Sequence, residues 1–339
     1  MNPEHEDSVI TKDLRRQFHR DGFLIVRNAL DHEEVEVFRR EVDCLVNFLI
    51  SENIDIMKDY GGVIEPISCG YIDPPVSQMY ILSKRPYSAL RNLVTEDPDT
   101  VVPVLFGKMP ALAKHLLPTD TSENPLCLFN EQYIVKTPKS ASISSFAWHQ
   151  DSQYMDSTAQ TAYPIVSCWT ALDDVNISNG TLLIEPFPIP IDPTTGERLD
   201  LPNSLDDLDT HLQLHRGLAS LYQGELDRDK ALVQAQEKDP FSMLKHKAGR
   251  PINVSDPEQW MKRCERQRPV LVDISAGSIV FLSGFVRHCS LGNTSSKFRR
   301  AYMPQFSAGK VVTDDGGIVS LAVPCTDHLH DRDQDMDAV

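Results

Sequence analysis

The chain of 339 residues lacks any long apolar run. No segment approaches the roughly 18–20 consecutive apolar residues a bilayer-crossing helix needs. Its opening residues, MNPEHEDSVITKDL, are acidic and polar, without the apolar stretch of a secretory signal. No Gly-rich phosphate loop follows the first expected strand, which argues against a nucleotide-binding parallel α/β fold, and Asn179-Gly180 reads as a turn. Paired cysteine spacing is also missing. Cys44, Cys69, Cys127, Cys168, Cys264, Cys289 and Cys325 are scattered and odd in number, as expected of reduced thiols rather than a disulfide frame. Basic charge is in deficit: 33 Lys and Arg stand against 49 Asp and Glu, a net charge of -16. That balance argues against nucleic acid or an anionic membrane surface as partner and leaves a small molecule. The final residues, MDAV, are not a peroxisomal Ser-Lys-Leu ending, so a cytoplasmic location is expected. With 41% hydrophobic residues the chain can form one large domain, as a monomer or homodimer.

The pattern that is present begins with helices and continues with strands. A short helix is expected near 14–18 and a strand at 23–28. Asp31 and Glu34 have the spacing of a capping box. They open a helix whose Val35, Phe38, Val42, Leu45, Val46 and Leu49 form one apolar stripe for packing on a sheet. Further helices are expected at 79–94 and 101–117. β-Branched and aromatic runs between turn signals predict strands at 127–136, 165–171, 181–186, 270–274, 278–282 and 299–307. The expectation is a mainly β, α+β chain with a double-stranded β-helix core, a cupin-like jelly roll. Its helical lead-in would cover 10–125, its core 126–186 and 269–308, a helical insertion 187–268, and a tail 309–339.

Two distant stretches carry the chemistry, WHQD at 148–151 and RHCSLGNTSSKFRR at 287–300. They supply His149, Asp151 and His288, the donor set that suits non-heme Fe(II) and leaves coordination positions open. On a strand, alternate side chains share a face, so His149 and Asp151 would point together while Gln150 points away. Each piece alone is unspecific. The chain's nine other histidines have no comparable setting and read as surface or structural. Arg299, eleven residues beyond His288, is suited to grip the far carboxylate of a dicarboxylate that chelates the metal. Arg300 is its rival, and the two should face opposite sides of one strand, so only one enters the pocket. Lys136 is a further candidate for making that pocket locally positive.

With HQD at 149–151, CWTALDDVNISNGTLLIEP at 168–186 and HCSLGNTSSKFRRAYMPQFS at 288–307, the chain resembles the phytanoyl-CoA dioxygenase family of Fe(II)/2-oxoglutarate-dependent oxygenases. The resemblance runs from about residue 14 to about 307, with one interruption. It implies His149, Asp151 and His288 as iron ligands and Arg299 and Ser290 as partners of the distal 2-oxoglutarate carboxylate. Its spacing favours Arg299 over Arg300. It also implies Trp169 beside the cosubstrate and, across a loop of different length, Gln132 in contact with it. The implied reaction consumes O2 and 2-oxoglutarate, releases succinate and carbon dioxide, and oxidises an unactivated C–H bond of a small metabolite, such as a secondary-metabolite scaffold. Hydroxylation, desaturation and cyclisation all use that machinery. Related halogenases replace the carboxylate with a small residue, so Asp151 argues against halogenation. A metal-binding jelly roll with another cosubstrate, or a non-catalytic binding protein, is the alternative.

The interruption spans about eighty residues, 187–268, and opens with PFPIPIDP. Helices are expected within it, one at a second capping box of Ser255 and Glu258. Lys245, His246, Lys247, Arg250, Lys262, Arg263, Arg266 and Arg268 make one end basic, and the segment would be a solvated excursion, a lid or an oligomer contact. A second loop, 57–75, carries Tyr60 and Tyr71 as candidate substrate contacts.

Overall fold

The computed structural model describes residues 10–64, 101–117, 125–154, 165–190, 194–198, 264–265, 267–312 and 323–325. Tyr71, the helix expected at 79–94, the Ser255–Glu258 capping box and the basic end of the insertion up to Arg266 lie outside these residues.

The lead-in forms as its caps dictate. Helix α1 (Lys12–Asp21) begins where the Thr11 hydroxyl accepts from the Leu14 amide, and it ends at Gly22 in the left-handed conformation. Strand β1 (Phe23–Val26) follows. Helix α2 (His32–Ser51) starts at a complete capping box, with the Asp31 carboxylate accepting from Glu34 N and Glu34 accepting from Asp31 N. All six stripe residues of α2 are buried, joined by Glu41. Helix α3 (Ile56–Tyr60) and the short strand β2 (Val63–Ile64) come next. The helix expected at 101–117 forms in two parts, a π-helical turn at Val104–Lys108 and α4 (Met109–Ala113).

The remaining strands are β3 (Leu126–Lys136), β4 (Phe146–His149), β5 (Ile165–Ala171), β6 (Leu182–Glu185), β7 (Ile189–Pro190), β8 (Cys264–Glu265), β9 (Val270–Leu271), β10 (Ile279–Ser283), β11 (Arg287–Ser290), β12 (Arg299–Ala308) and β13 (Val323–Pro324). They form two main antiparallel sheets. The larger has the order β1-β10-β5-β12-β3-β13, with β2 also on β3; the smaller has the order β4-β11-β6-β9. This is the expected jelly roll with helices, an α+β class. Alternation along β5 and β12 sorts their side chains by face. Cys168, Tyr302 and Phe306 join the α2 stripe in one apolar cluster, while Trp169, Ala171, Ala301 and Met303 face Leu182 and Ile184 of the other sheet. The strand expected at 270–274 is shorter. It stops at Leu271, and Ile274 makes an isolated bridge to Val175 instead.

At the edges of the insertion β7 pairs with β8, Ile189 opposite Glu265, and Gln267 donates to the Phe187 carbonyl at 2.8 Å. Its two ends are therefore tied together beside the barrel. No helix among the described residues is long and apolar enough to cross a membrane.

The α2 cap is exposed and separate from the cavity described below. Asp31→Ala should cost about 1 kcal/mol of stability in a urea titration and leave metal binding unchanged.

Candidate metal and dicarboxylate site

The site is built by strand register. β11 lies against β4 with His288 directly opposite His149, so two histidines far apart in sequence meet, ring centroids 4.2 Å apart. Their Nδ1 atoms lie 2.8 Å from the Ala147 carbonyl and 3.2 Å from the Val286 carbonyl. A carbonyl only accepts, so each Nδ1 carries the proton and each Nε2 presents a lone pair. Asp151 Oδ1 sits 3.7 Å from both Nε2 atoms. The three donor atoms lie within 4.8 Å of one another, the spacing of ligands around one ion.

One detail differs from the expected strand. β4 ends at His149, and Asp151 opens a 3₁₀ turn (Asp151–Tyr154) anchored by Ser152 N donating to the Gly284 carbonyl at 2.9 Å. The carboxylate reaches the histidines because the chain turns, not because a strand alternates. Gln150 does point elsewhere, its Nε2 donating to the Phe285 carbonyl at 2.5 Å.

Behind the donors lies a cavity of about 460 Å³, whose walls include Gln132, Trp169, Ser290 and Arg299. Arg299 is fully buried. Its Nε and Nη2 have no partner among the described residues, and its Nη1 only approaches the Ile134 carbonyl at 3.5 Å. Burial pulls its pKa down to about 9, opposed by Asp173. The Trp169 ring lies 5.3 Å from the guanidinium. Arg300, on the other face of β12, is engaged by Asp173 and Asp43, with contacts of 2.7 Å to each. Its pKa is raised, first by the Asp173 hydrogen bond.

Lys136 is the residue whose role the sequence understates. It stands opposite Arg299 in the β3–β12 register and is fully buried. Its Nζ donates to Ser290 Oγ at 2.7 Å and to the Leu291 carbonyl. Burial first and Arg299 second push its pKa well below the usual lysine range. Gly180 makes room for it: with φ at +92°, a Cβ there would sit 2.7 Å from Lys136 Cδ and 2.7 Å from the Leu291 carbonyl oxygen. Ser167 was also missed, although it alternates with Trp169 on β5. Its hydroxyl donates to Asp151 Oδ2. Tyr60 closes α3 at 37% exposure, where Ile56 and Met57 turn inward, and it is not among the cavity's described walls; the rest of its loop, 65–75, lies outside the described residues.

A model of the family described as phytanoyl-CoA dioxygenase (PhyH) matches residues 18–186, which include His149 and Asp151. The chain belongs to the phytanoyl-CoA dioxygenase family. A Caenorhabditis elegans protein named as a probable phytanoyl-CoA dioxygenase is 25% identical over 190 residues, 53% of this chain and 53% of its own. The chain thus spans about half the length of the curated relative it matches. Among solved structures, the EvdO2 protein of Micromonospora carbonacea var. aurantiaca, complexed with 2-oxoglutarate, is 18% identical (91% of this chain, 94% of that one, TM-score 0.46). EctD from S. alaskensis, with 2-oxoglutarate and 5-hydroxyectoine, is 12% identical (94% and 89%, TM-score 0.46). At that level the fold rests on the strand order itself. The match to the phytanoyl-CoA dioxygenase family stops before β11 and β12, so His288 and Arg299 join the site through their register in the sheets.

His149 also sets a pH dependence. Burial first and His288 second lower its pKa to about 4, opposed by Asp151. The folded value lies below the ordinary value of about 6.5, so the unfolded chain binds the extra proton at intermediate pH. The contribution to stability is complete above about 6.5 and is lost as pH falls toward 4. The urea midpoint of the metal-free protein should fall across that window, and His149→Gln should flatten the fall.

Proposed function

We propose that this chain is an Fe(II)/2-oxoglutarate-dependent dioxygenase that oxidises an unactivated C–H bond of a small organic molecule. The observation that carries the reading is the pair of Arg299 nitrogens without a partner among the described residues, buried in the same cavity as three convergent metal donors. A buried guanidinium left without an anion is costly, and a carboxylate is the planar, bidentate partner it fits. The donor set of two imidazoles and one carboxylate suits iron and leaves positions open.

In this reading His149 and His288 bind iron through Nε2 and Asp151 through Oδ1. Iron and 2-oxoglutarate would supply activation of O2 coupled to oxidative decarboxylation, yielding succinate and carbon dioxide. The chain's own residues do the rest. Arg299 holds the distal carboxylate, and Ser290, its oxygen already accepting from Lys136, turns its hydroxyl proton toward the same anion. Trp169 covers the guanidinium, and Gln132 lies two rungs along the same sheet face. The apolar side chains of Phe129, Phe146, Leu182 and Met303 keep water from the centre.

Arg299→Met provides the test. It should abolish succinate formation from 2-oxoglutarate. Because it also removes an uncompensated buried charge, the metal-free variant should be as stable as the parent or more stable, by up to about 3 kcal/mol. Succinate formation at the parent rate would contradict the assignment.

A further inference from the structure

The face that β3 and β12 turn to the cavity is polarised along its length. Register places Lys136 opposite Arg299, Ile134 opposite Ala301, Gln132 opposite Met303, and Asn130 opposite Gln305. One end therefore carries two cations and the other two amides, and the six-residue step from Arg299 to Gln305 is about 20 Å of strand. A dicarboxylate held by Arg299 cannot reach the amide end.

The amides there are not free to point at random. A metal-binding carboxylate only accepts, so Ser167 must use its single proton on Asp151 Oδ2. Ser167 Oγ then accepts from Gln305 Nε2 at 2.8 Å, and Gln305 Oε1 accepts from Asn130 Nδ2 at 3.2 Å. The requirement at Asp151 thus fixes the orientation of both amides in turn. Asn130 is left with its carbonyl and one N–H in the cavity wall, a complementary pair for a neutral polar group. Among the described walls no cationic side chain lies at this end, where the nearest charge is the Asp151 carboxylate beyond Ser167, and an anion buried there would go uncompensated. Phe129 and Met303 supply the apolar remainder.

Resting on the reading above, we propose that the primary substrate is an uncharged, largely apolar molecule whose amide, hydroxyl or carbonyl group is held by Asn130 at the end of the chain Asn130–Gln305–Ser167, which also positions Asp151. Asn130 is thus a specificity residue, and Ser167 and Gln305 are positioning residues for the carboxylate.

Octanamide and octanoate, matched in length and differing in charge, are the probes for the full-length protein, with binding followed by ligand-observed NMR in the presence of Zn(II) and saturating 2-oxoglutarate, so that Arg299 already holds a carboxylate. Octanamide should bind at least tenfold more tightly than octanoate, and Asn130→Leu should abolish that preference. Mn(II) affinity in the presence of 2-oxoglutarate, read from the EPR signal of the free ion, reports the other half. Ser167→Ala should weaken Mn(II) about tenfold and Ser167→Thr should restore it. Gln305→Met should affect both measurements, and thermal unfolding of each variant checks that it folds. Equal binding of octanoate, or octanamide binding unchanged in Asn130→Leu, would overturn the substrate class. An unaltered Mn(II) affinity in Ser167→Ala would overturn the positioning role. A parent protein that binds octanamide but neither Mn(II) nor 2-oxoglutarate would instead sink the dioxygenase reading and leave the amide site standing.

Discussion

The register of β11 against β4 is the constraint on which the site depends. Opposing His288 to His149 across one ladder places two imidazoles at hydrogen-bonding separation of their strands, and backbone carbonyls fix both tautomers. A one-residue slip would turn His288 to the other face and Cys289 into its place. Two features oppose that slip. The other edge of β11 pairs residue for residue with β6, from Arg287 against Glu185 to Ser290 against Leu182, and Arg287 donates to the Glu185 carboxylate at 3.1 Å. Beyond β11, Asn293 ties the connecting turn down by donating to the Lys136, Thr137 and Lys297 carbonyls. That turn delivers Arg299 to the start of β12.

A second constraint follows from charge. The chain is acidic overall, yet it buries Arg299 and Lys136 as neighbours at one end of the cavity. Such a pair opposes folding, since both cations leave water and repel each other. Lys136 recovers part of this through Ser290 and the Leu291 carbonyl, while two Arg299 donors have no partner among the described residues. A site that is destabilising when empty and complementary to an anion is the signature of binding rather than of packing. The opposite end, without a cation among the described residues, makes the cavity directional.

Much of this was legible in the sequence. The α2 stripe and its capping box are local patterns, and each stripe residue is buried. Period-two alternation sends Arg299 and Arg300 to opposite faces of their strand, and the family spacing was needed to choose Arg299. The three metal donors could be grouped from their chemistry, but not the turn at Asp151, which depends on Gly284 across the barrel. Lys136, Ser167 and Gln305 gain their meaning from pairing across strands distant in the chain. Single-strand alternation shows which face they occupy but not their partner.

In the proposed dioxygenase one cavity holds a metal through His149, Asp151 and His288 and a dicarboxylate through Arg299 at the same time. Anaerobic titration of the Fe(II)-loaded protein with 2-oxoglutarate tests it directly, by visible absorption. A weak charge-transfer band is expected that saturates with 2-oxoglutarate, fails to develop in His288→Ala, and requires far higher concentrations in Arg299→Met. Absence of the band in the parent protein at saturating Fe(II) and 2-oxoglutarate would contradict it.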